Sequence, residues 1–178
     1  MADEEDIGEE VGELDSKGEE EKRGAAIAAL LQKSSTRLSE SRGVLEFLPE
    51  INESCVDKAA LKALVDGEAI GLIFSAMKTH CDNPQVLVAG CKALVFKGLK
   101  YQYNAPASQQ VLGSGGVATI MAAIKRFPDD RDLQVAAIVA LSHVVAGPEN
   151  REALMRQGGV EVILDSVSRH NIRTSLPF

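Results

Sequence analysis

Slide the segment beginning at Ile70 forward by 47 residues and it lies on the segment beginning at Val117 without a gap. Ile73 then meets Ile120, Phe74 meets Met121, Ala76 meets Ala123, and Ala93-Leu94 meets Ala140-Leu141. A second shift, of 43 residues, carries Gly115-Gly116-Val117 onto Gly158-Gly159-Val160, Ile120 onto Ile163 and Ile124 onto Val167. A period of this size constrains the fold more than any single motif does. Each copy is one supersecondary unit that cannot bury its apolar face alone, so the copies must stack.

The spacing within a copy predicts three helices. The first is short, near 57–65, 107–112 and 149–157, and ends at Gly67, Gly115-Gly116 or Gly158-Gly159. Glycine tolerates positive φ and so closes one helix while turning sharply into the next. The second, near 70–80, 117–127 and 160–170, repeats apolar residues at helical intervals. A polar break follows, Asp82-Asn83-Pro84 or 128–132, supplying capping side chains and a proline stop. The third, near 85–97 and 133–146, is apolar almost all round, the pattern of a helix sandwiched between neighbours.

Residues 147–154, leading through Gly158-Gly159 into 160–164, resemble the armadillo repeat family, with its short first helix, Gly-Gly turn and apolar second helix. Leu133-Gln134-Val135 followed by Ala140-Leu141-Ser142 is similar to the family's third helix. The match covers roughly residues 55–170. It implies an all-α fold, a right-handed α-α superhelix (an armadillo-type solenoid) of about three to four repeats. It also implies a concave third-helix groove that holds an extended peptide or a domain of another protein. Members that bind nuclear-localisation peptides carry a Trp on the third helix and an Asn four residues later. Here Lys92 and Phe96, then Val139 and His143, occupy those positions, so the expected partner-binding groove has a different chemistry.

Composition removes other classes. Trp is absent and aromatics reach 4%, which suits close-packed helices better than an aromatic-lined catalytic cleft. The three histidines are dispersed; His80 and His170, one residue past equivalent apolar runs, are expected to cap helix C-termini. Cys55, Cys81 and Cys91 have no framework spacing and read as free thiols in a reducing compartment, cytoplasmic or nuclear. No enzyme activity, metal, cofactor or membrane span is expected. Gly113-Ser114-Gly115-Gly116 lacks the strand and the Lys-Ser/Thr of a phosphate loop. Lys97, Lys100, Lys125, Arg126 and Arg131 read as solvated helix ends, since a body of net charge near +1 gives no broad positive field for nucleic acid.

Residues 1–23 hold eleven acidic side chains against three basic ones and are expected to form a disordered tail, with a secondary role of covering basic positions in the groove. Residues 24–54 read as a degenerate capping repeat without its first helix, with Pro49 near the end of its last helix. Repeats follow at 55–100 and 101–147, a partial repeat at 148–170 and a C-terminal tail at 171–178. Tyr101 and Tyr103, in the longer connection, are candidate loop anchors. The partial repeat leaves Val160, Ile163, Leu164 and Val167 as an open C-terminal edge, each exposed aliphatic forfeiting about 1.5–3 kcal/mol. The expected function is binding of a partner protein segment along the third-helix groove. The alternative is a scaffolding or regulatory fragment of a larger armadillo protein, contacting through that edge, with self-association or the tail through Leu176 and Phe178 as ways of covering it.

Overall fold

The computed structural model describes residues 5–55, 57–95 and 105–172, and among them every regular element is a helix. In chain order these are α1 (Glu5–Gln32), α2 (Ser34–Arg37), α3 (Ser41–Ser54), α4 (Lys58–Asp66), α5 (Ala69–Thr79), α6 (Pro84–Ala93), α7 (Ala105–Gly113), α8 (Gly116–Arg126), α9 (Arg131–Val144), α10 (Pro148–Arg156) and α11 (Gly159–His170). The first helices of the copies are α4, α7 and α10; the second are α5, α8 and α11; the third are α6 and α9.

Packing follows the repeat. The third helices form one row, α3 against α6 and α6 against α9. Their buried faces are in register at the two sequence offsets: Val44, Leu87 and Gln134, then Leu48, Cys91 and Ile138, then Ile51, Leu94 and Leu141. The second helices pack against the first helices of the next copy, α5 on α7 and α8 on α10. In the N-terminal unit α1 packs on α4 in the same manner, through Ile27 and Leu31, and α3 supplies the third helix. Each copy therefore touches mainly its neighbours, and one apolar core runs through the stack.

The caps are local. Asn83 Oδ1 accepts from the amides of Gln85 (3.1 Å) and Val86 (3.3 Å), and Asp130 Oδ1 from Leu133 (3.0 Å). Asp57 Oδ1 takes the Ala60 amide at 2.7 Å, while its other oxygen pairs with Arg23 of α1. One cap thus fixes both the start of α4 and the docking of α1.

Several expectations are corrected. Residues 5–23, expected to lack structure, form the first part of α1. Glu is a good helix former, and carboxylates near a helix N-terminus complement its macrodipole. The half of α1 anchored on α4 supplies the nucleus, leaving only propagation to the acidic half. Pro49 lies inside α3, not near its end. In the first full copy the left-handed turn falls on Glu68 (φ 59°), not on Gly67 (φ −84°). Gly115 and Gly158 occupy the equivalent positions with φ of 61° and 66°. Finally, α6 stops at Ala93, short of residue 97, where the chain tightens so that the Val95 amide reaches Lys92 O at 3.1 Å.

Candidate partner-binding site

Two of the four residues expected to line the groove are placed on the third-helix row as solvent-facing positions. Lys92 on α6 is exposed, and Val139, 47 residues on, is 41% exposed on α9. His143, one turn beyond Val139, is half-buried. Phe96, Tyr101 and Tyr103 lie outside the described residues.

Between α3, α6 and the start of α9 the row opens into a cleft of about 450 Å³. Its apolar lining comes from Leu45, Pro49, Val88 and Ala89, and its charged lining from Lys92, Asp130 and Asp132. The Asn52 Oδ1 atom is buried in the wall and accepts no hydrogen bond among the described residues. A buried amide oxygen without a donor is costly, by about 1–3 kcal/mol. The cleft is therefore an amphipathic slot: an aliphatic wall, one ammonium and two carboxylates.

The sequence marks none of Leu45, Pro49, Asn52, Asp130 and Asp132 as a groove residue. The signal for the first two is the 43-residue shift, which sets Leu45 on Val88 and Pro49 on Lys92. Asp130 was read only as a helix cap, and its side chain does both things: it caps α9 and borders the cleft. With two carboxylates and one ammonium in its lining, the cleft offers an acidic segment little attraction, which weakens the electrostatic ground for the N-terminal segment covering it.

The histidines expected to cap their own helices do something else. His80 Nε2–H donates to Leu38 O at 2.9 Å and its Nδ1 accepts from Ser41 Oγ at 3.1 Å; His170 Nε2–H donates to Pro128 O at 2.7 Å. Each ring leaves the last turn of a second helix sideways and reaches the turn of the copy before it. The Arg169–Asp129 pair (3.2 Å) ties the same place as His170, and the Arg126–Asp82 pair ties the end of α8 to the turn after α5. These residues hold the stack, and Arg126 also borders the cleft between α5 and α8.

At the far end Met155, Val160 and Leu164 stand 61%, 44% and 63% exposed, while Ile163 and Val167 are half-buried, Ile163 against the core. Leu176 and Phe178 lie outside the described residues. Cys55 and Cys91 are buried thiols and Cys81 is exposed. Burial pushes the Cys91 thiol up to about 12. Among the described residues no three metal-ligating side chains come together, and no helix is long and apolar enough to cross a membrane. No family model, no curated protein and no solved structure matches this chain.

Proposed function

We propose that this chain is an armadillo-type α-solenoid that binds an extended segment of a partner protein along its third-helix face and performs no catalysis. The observation that carries the reading is the cleft between α3, α6 and α9, an apolar slot bordered by Lys92, Asp130 and Asp132. An extended peptide brings a backbone N–H every residue and alternating side chains, which matches a slot of this composition. The favoured peptide places an aliphatic side chain over Leu45 and Val88, a basic residue toward Asp130 and Asp132, and a carboxylate toward Lys92.

Selection of random peptides displayed on phage, with the folded chain as bait, tests the reading. Enriched peptides should share that aliphatic–basic–acidic pattern, and Val88→Asp or Lys92→Glu should weaken them at least tenfold. Failure to enrich any sequence, or enriched peptides indifferent to both substitutions, counts against the groove.

A second reading, contact through the α10–α11 end, is favoured by the exposed Met155, Val160 and Leu164. Burying three such side chains is worth several kcal/mol, about 1.5–3 each. Leu164→Glu should then abolish partner capture while leaving the peptide slot intact.

A further inference from the structure

The clefts between successive second helices are the same place in two copies. At the repeat offsets Met77, Lys78, Cys81 and Leu87 of the α5–α8 cleft correspond to Ile124, Lys125, Pro128 and Gln134 of the α8–α11 cleft. From the other wall Ala118, Thr119 and Ala122 correspond to Glu161, Val162 and Asp165. The two clefts differ most at two of these positions, alanine in one and carboxylate in the other. The α8–α11 cleft encloses about 330 Å³ and the α5–α8 cleft about 780 Å³.

The substitution leaves charge uncompensated. In the α8–α11 cleft Arg169 is held by two carboxylates, Asp129 of the preceding turn at 3.2 Å and Asp165 of its own helix at 3.4 Å. In the α5–α8 cleft Arg126 keeps the turn partner, Asp82, but the residue four before it is Ala122. Among the described residues Lys78 donates only to the neutral carbonyl of Ser114, and Lys125 is exposed and makes no ion pair. Lys78, Arg126 and Lys125, the last of which also borders the sister cleft beside Glu161 and Asp165, thus line a floor of Gly115, Ala118 and Ala122, with Asp82 the carboxylate paired there.

We propose that this cleft receives the acidic N-terminal segment of a second copy of the chain. Residues 5–15 hold Glu5, Asp6, Glu9, Glu10, Glu13 and Asp15, with Ile7, Val11 and Leu14 recurring at i, i+4 and i+7, and their backbone is helical. An amphipathic helix with anchors at that spacing is the ordinary occupant of a groove between two helices. Its carboxylates replace those the sister cleft draws from Glu161 and Asp165, and its aliphatics cover the alanine floor. The donor is another copy because α1 is unbroken to Gln32 and anchored on α4 by Ile27 and Leu31, so its first half cannot turn back into a cleft of its own stack. The contact is heterologous, joining one end of a copy to the flank of the next, and is independent of the third-helix slot.

Light scattering on the 19.0 kDa chain over a wide concentration range tests the proposal. At low ionic strength the mass should climb with concentration, and at about 1 M salt, where the Debye length is about 3 Å, it should fall back toward the monomer. Ala118→Glu with Ala122→Asp installs the residues α11 already carries and should weaken association at least tenfold, with helical content and melting temperature retained. Should that double variant unfold, Lys125→Glu, at an exposed position, serves in its place. Deleting residues 1–16 should have the same effect as filling the cleft. A chain monomeric at every concentration in low salt overturns the proposal. So does association that survives both cleft variants, or that is lost only with Leu164→Glu.

Discussion

At the residue scale the repeat makes each position a comparison with its counterparts. Glu68, Gly115 and Gly158 share one left-handed backbone conformation, and two of the three are the residue that adopts it without strain. A side chain there costs about 1–2 kcal/mol. Glu68→Gly should therefore raise stability by about 0.5–1 kcal/mol, and Gly158→Ala should lower it by about 1 kcal/mol, both read from urea unfolding. The second glycine of each pair has another reason to be small: a Cβ on Gly116 would fall 2.5 Å from the Phe74 ring. Cys91 makes a pH prediction. Its thiol is neutral in the fold to about 12, against 9.0 for the ordinary group, so between those values the unfolded chain ionises first. Stability should be indifferent to this group below pH 9.0 and fall as pH rises toward about 12, and Cys91→Ala should flatten that decline. Alkylation under native conditions should label Cys81 and spare Cys91.

At the scale of elements, the joints between helices depend on polar groups that periodicity does not reveal. Gln134 sits at a core position, where α6 has Leu87, because its Nε2 donates to Ile124 O and Phe127 O, both at 2.9 Å, closing the end of α8 onto the start of α9. Asn150, fully buried, does the same between α10 and its neighbours, donating to Ser108 Oγ at 3.1 Å and Val144 O at 2.9 Å. Gln134→Leu keeps the apolar pattern yet strands the Ile124 carbonyl, while Phe127 O keeps the Asp130 amide at 3.2 Å. The substitution should cost about 1–3 kcal/mol in thermal unfolding. An apolar scan ranks Leu at that position as the better core residue, and an unchanged or raised melting temperature would show that scan to be right. The acidic half of α1 belongs to this scale as well. Composition argued for disorder, whereas helicity there follows from an anchored helix continuing into Glu-rich sequence.

At the scale of the molecule, a stack whose copies touch mainly their neighbours exposes two kinds of surface: faces made by rows of equivalent helices, and ends. Substitutions on a row should change binding without changing stability. Val139→Asp, on a residue already 41% exposed, should leave the melting temperature within about 1 °C while it alters the third-helix face, since surface changes stay within about 0.5 kcal/mol. Leu164→Glu at the α11 end should likewise be tolerated or mildly stabilising by the same measure, because that side chain is 63% exposed.

The sequence by itself determined the helices, the copy boundaries and most of the caps, since these rest on local spacing and on side chains that bond backbone amides within three residues. It also marked the buried faces, because each repeat votes on the same positions. What it did not determine was decided between copies. The partners of His80 and His170 lie 42 residues away, on carbonyls that carry no sequence signature. The third-helix cleft draws its lining from α3, from α6 and from the cap and first turn of α9, three elements that no single period links. The basic cleft between α5 and α8 is visible only when two stacked copies are compared wall by wall. Local sequence fixes which face of a helix is apolar; only the packing distance between helices decides whether that face closes or leaves a slot.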